Sequence, residues 1–389
     1  MPTFPQGAVD VVDRAGEEAA TRVLEAAPEV AVDLEADAMH AFRARLCFLQ
    51  LGTDTDIFLF DTLQPGVDPR LLSPMMEDPA RTKYFHAAQG DLQFLAEAGV
   101  RVRGLFDTHR AVTLLGWPKV GLADLARERL GVELPKEHQQ SDFSLRPLPP
   151  GMRDYIANDV RYLCELGRQV RDACREADIL EEVLLDCERM CAEAEARPEV
   201  GAEYKPKLSR TGLSTAQYGL AYAIAQALHK LRLEWAEKDN VPMGRMLSNM
   251  AITDLALKQP DTHKDLARAA GVRGAVVRAH GDAILALIRD HQQKAARGEL
   301  DLDREPKGPR DPHRRKREDA LKAFRVEQAA LRKVTPSVVL TNPLMDALAS
   351  KPPADVSELS QVPYLGEKRI KLYGDKLVAL LKPFPVPGS

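Results

Sequence analysis

Asp33-Leu34-Glu35 closes a short apolar run, Val30-Ala31-Val32. In an extended chain residues i and i+2 project from one face, so this spacing sets two carboxylates side by side. Acids held that closely repel, and burial disfavours the charge on each, unless a cation lies between them. The same chemistry is offered twice more downstream. Asp91 stands where a predicted strand, Lys83-Tyr84-Phe85-His86, gives way to a predicted helix over Asp91 to Ala98. Tyr155 and Asp159 are four apart on a predicted helix after Pro149-Pro150, which gives phenol and carboxylate a common face. Singly, each has an ordinary explanation: a strand running out into solvent, a helix N-cap, a charged residue on a half-buried helix. Together, Asp33, Glu35, Asp91 and Asp159 supply hard oxygen ligands suited to two Mg2+ or Mn2+ ions.

These side chains need a scaffold that brings distant segments together. The first half of the chain alternates short apolar runs with helical patterns. Val30 to Val32 and Leu46 to Leu51 read as buried strands. Gly52-Thr53-Asp54-Thr55-Asp56 reads as the turn of a hairpin into Ile57-Phe58-Leu59-Phe60. A further strand is expected over Val100 to Phe106, then helices from Thr108, over Leu122 to Leu130, and as one long helix after Pro150. Strands first and helices after predict a mixed α/β domain. Asp54, Asp56 and Asp61 are expected to serve turns and strand ends, and Asp107 to cap the helix near Thr108.

Beyond about Ala173 strand signals stop. Tyr204-Lys205-Pro206-Lys207 reads as a linker, and two helical units follow, over about Ser214 to Asp290 and Arg317 to Leu381. They read as a degenerate internal repeat. Leu231 to Lys238 is paired with Leu321 to Gln328, Met246 to Asn249 with Val338 to Thr341, and Gly271 with Gly366. The segment Lys307 to Arg317, with Arg310, Arg314, Arg315, Lys316 and Arg317, reads as a charged connection that either stays solvated or tracks phosphates. Leu365 to Arg369 marks a helix start where backbone N–H groups would face a phosphate.

With 389 residues, 44% of them hydrophobic, the chain has material for two or three cores. A net charge of -4 does not announce a nucleic-acid binder, although a carboxylate site adds negative charge of its own. The five cysteines form no CxxC pattern, so neither a zinc site nor a disulfide framework is expected. No signal peptide or membrane span is read, which predicts a cytoplasmic protein. The absence of G-x-x-x-x-G-K-[ST] argues against an ATP-driven motor and a nucleotide cofactor.

The segments carrying the acids resemble the three exonuclease motifs of the DEDD nuclease superfamily, and more narrowly of the ribonuclease D family. Val32-Asp33-Leu34-Glu35 with Arg45 to Leu51 is similar to the first motif. His86 to Leu92 with Phe106-Asp107-Thr108 is similar to the second. Tyr155 to Asp159, led by Leu130 to Lys136 and Ser141 to Leu148, is similar to the third; Phe143 stands where the family frequently has Trp. The two helical units resemble HRDC domains. The resemblance implies a ribonuclease H-like α/β exonuclease domain, with a mixed sheet flanked by helices, over 1–205. Two small all-α HRDC domains would follow over 206–300 and 301–389.

It also implies a 3′–5′ exoribonuclease that releases nucleoside 5′-monophosphates with two divalent cations. Asp33, Glu35 and Asp159 would hold the first ion. Asp33 would bridge to the second, with Asp91 contributing directly or through water. Tyr155 would orient the attacking water. The superfamily's other branch has His five residues before the final Asp; Asp154 occupies that place, which favours the tyrosine branch. His40, Arg45 and Lys136 are candidate substrate contacts. RNA with a free 3′ end, transfer-RNA precursors among them, is the implied partner of a monomer. A 3′–5′ exonuclease acting on DNA, and an RNA-binding module without turnover, stay open as alternatives.

Overall fold

The computed structural model describes residues 4–135, 138, 141–196, 204–303 and 311–386. Contacts divide the chain into two compact units, Met1–Ala36 with Leu46–Arg197 and Pro309–Ser389, and Asp37–Arg45 with Pro198–Gly308.

The first unit is built on a mixed sheet of six strands among the described residues: β1 (Val9–Val11), β2 (Glu29–Ala36), β3 (Leu46–Gly52), β4 (Ile57–Asp61), β5 (Thr82–Phe85) and β6 (Leu105–Asp107). Their order is β1-β4-β3-β2-β5-β6. The expected hairpin forms: β3 and β4 pair antiparallel, and Thr53 N–H closes the turn on the Asp56 carbonyl at 2.8 Å. β2 lies between β3, antiparallel to it, and β5, parallel to it. Val30, Ala31 and Val32 are all fully buried, as a strand covered on both faces requires.

Two expectations along this stretch need correction. The strand over Val100 to Phe106 shortens to Leu105–Asp107, because Gly104 takes a left-handed φ of 68° and breaks the extended run. Val100 and Val102 are buried without joining the ladder, so apolar character was there without strand pairing. The long helix after Pro150 is two, Met152–Arg161 and Leu163–Glu176, divided at Tyr162, whose ring packs edge-on against Phe4 at 4.7 Å. The edge strand β1 and the Arg14–Ala26 helix, which Asp13 caps through Gly16 N–H at 2.8 Å, carry no pattern that the sequence reading picked up.

Residues 311–386 belong to the same unit and form their own core, from Leu321 to Leu381, while Val338 inserts into the core of the sheet. A buried carboxylate, Glu182, fastens the two: Arg332 reaches it at 3.2 Å and Lys368 at 3.3 Å. Thr335 Oγ1 donates to the Leu114 carbonyl at 2.8 Å. The helix start at Lys368, expected to face a phosphate, instead donates its backbone N–H to the Glu181 carboxylate at 3.1 Å. The basic run is likewise corrected. Arg314 to Arg317 open a helix, Arg314–Arg332, rather than a linker. Arg317 is fully buried, donating to the carbonyls of Ala349 at 2.7 Å and Phe384 at 2.8 Å, so a phosphate role is closed to it. Arg310 lies outside the described residues.

The second unit holds a core running from Ala221 to Ile288. Its internal likeness to residues 311–386 is structural, with a different register from the one read in sequence. Arg232 donates to the Leu247 carbonyl and to Asn249 Oδ1, each at 2.9 Å. Arg325 makes the same pair of bonds, to the Leu340 carbonyl at 3.3 Å and to Asn342 Oδ1 at 2.9 Å. Ser248 and Thr341 are the matching N-caps. Arg232 therefore answers Arg325, where the sequence pairing sets it against Lys322. Apolar residues recur often enough along both helices to permit either register. The buried arginine decides it.

Candidate active site

β2 delivers Asp33 and Glu35 to one face, as their spacing demands. The Met152–Arg161 helix lies across β2, β3 and β4 on that face. Its approach is close: a Cβ on Gly52 would stand 3.0 Å from the Val160 carbonyl oxygen. From this helix Asp159 meets the strand acids. One carboxylate oxygen from each of Asp33, Glu35 and Asp159 lies within 4.8 Å of the others. These three line a cavity of about 430 Å³ together with Tyr155 and His86, its far wall formed by Gly121 to Asp124 and by Leu134 and Pro135.

Asp91 opens the Asp91–Glu97 helix as its first residue, one place inside the cap, so the N-cap explanation does not hold for it. Its oxygens stand outside the tight group of three, yet it is near enough to act on them electrostatically. The turn that presents it is tied down from below. Asp107 accepts from Ala87 N–H at 3.2 Å, Ala88 N–H at 2.7 Å and Arg110 N–H at 2.8 Å. The expected cap is therefore real, and it also holds Ala87 in a left-handed conformation, φ 67°, that a residue with a Cβ rarely adopts.

The electrostatics of the four acids agree in sign. Burial, then repulsion from Asp159, holds the Asp33 carboxyl well above the usual range. Burial, then Asp33, Asp159 and Asp91, pushes Glu35 up to about 9. Burial raises Asp159 to about 7. Asp91 is raised well above the usual range by burial and then by Asp33 and Asp107. Among the described residues, no basic side chain acts on any of the four. The raised pKa values show ionisation of these carboxyls opposed and, among the described residues, not compensated, and oxygen donors gathered in this way fit a hard divalent cation.

Tyr155 lines the same cavity, its ring stacked against buried Phe143 with centroids 6.3 Å apart. Burial, then Asp159, Glu35 and Asp33, raises its pKa, so the phenol keeps its proton. Phe143, at the position where the family frequently carries Trp, serves as that stacking partner. His86 Nδ1 lies 2.9 Å from Thr108 Oγ1, and burial pushes its pKa down to about 3, which makes it a neutral wall of the cavity. Neither His86 nor the Gly121 to Asp124 wall carries a role that is legible in the sequence. A helix start of that composition carries no chemical signal.

The candidate substrate contacts fare differently. Arg45 is held by Asp37, to which its backbone N–H donates at 2.5 Å and its Nε at 2.9 Å. His40 buries its Nε2. Both belong to Asp37–Arg45, grouped with the second unit, and neither is among the residues lining the acidic cavity. Lys136 lies outside the described residues. Asp61 serves its strand end, paired with Arg146 at 2.6 Å, and Asp54 pairs with Arg168 at 2.9 Å.

Comparison with known proteins agrees with this geometry. A 3′–5′ exonuclease family model matches residues 9–174, and an HRDC domain model matches twice, at 222–288 and 315–381. Ribonuclease D of Gluconacetobacter diazotrophicus is 30% identical over 361 residues, covering 91% of this chain and 87% of that protein. Rat exosome complex component 10 is 38% identical over 144 residues, which are 37% of this chain and 16% of that protein. The crystal structure of Escherichia coli RNase D, described as an exoribonuclease involved in structured RNA processing, superposes with a TM-score of 0.70 at 22% identity. The superposition covers 98% of this chain and all of that one. A mixed sheet bearing a carboxylate cavity is followed here by two HRDC repeats, and the chain belongs to the ribonuclease D family.

Proposed function

We propose that the protein is a 3′–5′ exoribonuclease whose active site is the cavity lined by Asp33, Glu35, Tyr155 and Asp159, with Asp91 beside it. One observation carries this: three carboxylates from two separate segments, one strand and one helix, converge within 4.8 Å, and among the described residues no basic side chain acts on them. Asp33, Glu35 and Asp159 would hold one Mg2+ or Mn2+ ion, and Asp33 and Asp91 a second. Such ions supply Lewis-acid activation of a water and charge stabilisation at the leaving oxygen.

The chain's own residues do the rest. Tyr155, protonated and stacked on Phe143, brings a hydroxyl to the cavity, where it would orient the attacking water. Neutral His86 adds no positive charge to compete with a cation. The cavity admits the terminal nucleotide of a strand with a free 3′ end, and hydrolysis there releases a nucleoside 5′-monophosphate. His40, Arg45 and Lys136 are retained as lesser candidates for backbone contact. The exonuclease domain is assigned to 1–205 and the HRDC domains to 206–300 and 301–389. The substrates proposed are 3′ ends of transfer-RNA precursors and other stable RNAs, trimmed by a cytoplasmic monomer.

A 5′-labelled RNA with a single-stranded 3′ tail tests the proposal. With Mg2+ or Mn2+ it should shorten one nucleotide at a time from the 3′ end. Full activity in EDTA would refute the metal-dependent mechanism. A matched DNA oligonucleotide trimmed faster than the RNA would move the assignment to a DNA exonuclease.

A further inference from the structure

Gln50 is fully buried, and neither its Nε2 nor its Oε1 has a hydrogen-bond partner. A buried amide without partners is unfavourable, and native folds retain few of them. Its place in the sheet gives the reason. Gln50 on β3 is the direct antiparallel partner of Asp33 on β2. Residues so paired project from the same face with neighbouring Cβ atoms. That face is the one the Met152–Arg161 helix covers, since Gly52, two residues along β3, abuts Val160. Of the two cross-strand neighbours of Gln50, Leu59 on β4 is apolar and Asp33 is the polar one.

A carboxylate that ligates a cation turns one set of lone pairs to the ion and needs donors for the others. Such supporting donors fix the ligand's orientation. Gln50 Nε2 is a donor with nothing else to bond, held in register with Asp33. We propose that Gln50 is a positioning residue for the cation site, its amide donating to the Asp33 carboxylate when that carboxylate ligates. The inference rests on the proposed cation site and names a residue outside the acidic set that tunes it.

Calorimetric titration of Mn2+ into the metal-free full-length chain tests it, run beside thermal unfolding without metal, for the wild type, Gln50→Leu and Asp33→Asn. Gln50→Leu should weaken Mn2+ binding by about 10–100-fold, while its metal-free Tm stays level or rises, because an orphaned amide has been removed. Asp33→Asn should lose measurable binding. Unchanged Mn2+ affinity in Gln50→Leu overturns the proposal. So does a fallen Tm with affinity kept, which would make Gln50 a packing residue. A wild type that binds no Mn2+ overturns the cation site itself, and with it this role, a result distinct from a defect confined to the variant. If Gln50→Leu does not fold, Gln50→Met, unbranched and close in volume, carries the same expectations.

Discussion

Two acidic clusters within the first unit lie on opposite sides of one physical distinction. On the Leu180–Glu195 helix, buried Glu182 meets Arg332 and Lys368, and buried Asp186 meets Arg110 and, at 2.8 Å, Arg189. At the cavity, Asp33, Glu35 and Asp159 lie within 4.8 Å of one another, and among the described residues no basic side chain acts on their carboxyls. Glu182 and Asp186 are buried and the cavity acids half-buried, and withdrawing a carboxylate from water is costly unless an opposite charge comes with it. The first cluster has its cations in the chain and works as a fastener. The second offers its carboxylates to a cation from solution, the role given to it in the proposed function. Counting acids would not separate them; tracing the partners of each one does.

The comparison is sharpened most by removing one acid from each cluster. Asp33→Ala or Asp159→Ala should reduce 3′ trimming by on the order of a thousandfold, about 4 kcal/mol of barrier, measured on single-stranded RNA with saturating Mn2+. Glu182→Ala should leave the chemistry of the folded enzyme intact. It should cost about 3 kcal/mol of stability, because it strips a buried acid from two cations, as read by chemical denaturation. A Glu182 variant that unfolds no more easily than the parent breaks the distinction. Tyr155→Phe should lower kcat by about 10–100-fold, with Mn2+ affinity unchanged, because the phenol orients water and is not needed as a ligand.

The smallest effect is a pH dependence peculiar to the uncompensated cluster. Asp159 at about 7 and Glu35 at about 9 are raised above the unfolded carboxylate range, so the metal-free native state binds protons that the unfolded state releases. Stability should therefore fall as pH rises through 7 and toward 9, and recover as pH drops to about 5. In EDTA the Tm should be a few degrees higher at pH 5.5 than at pH 8. Asp33→Asn should flatten that slope and raise the metal-free Tm at pH 8. A slope that persists unchanged in Asp33→Asn would place its origin elsewhere.

Much of the site was legible because two backbone periodicities place side chains without reference to the rest of the fold. Spacing i, i+2 on an extended chain aligned Asp33 with Glu35, and spacing i, i+4 on a helix aligned Tyr155 with Asp159. Asp107 as a cap was equally local, since an Asp before a helix start satisfies the N–H groups just beyond it. Other features had no local signature. β1 is three residues long and owes its existence to β4, its parallel partner. Val100 and Val102 are as apolar as strand residues yet join no strand pairing among the described residues. The repeat register was misjudged because recurring apolar residues accept several alignments, whereas Arg232 and Arg325 each select one pair of acceptors.

Sequence alone determined which residue types face together on each element, and so the chemistry on offer: carboxylates and a phenol aimed one way, apolar residues the other. It could not determine which acids would go without a cation, since Arg332 lies 150 residues from Glu182 and nothing in either segment foretells the pair. Nor could it show that Gln50 would lie opposite Asp33, because strand register is set by the packed sheet and not by either strand. Local dihedral preferences act over a few residues and can be read along the chain. Charge compensation and cross-strand pairing depend on distances in space, which only the folded structure supplies.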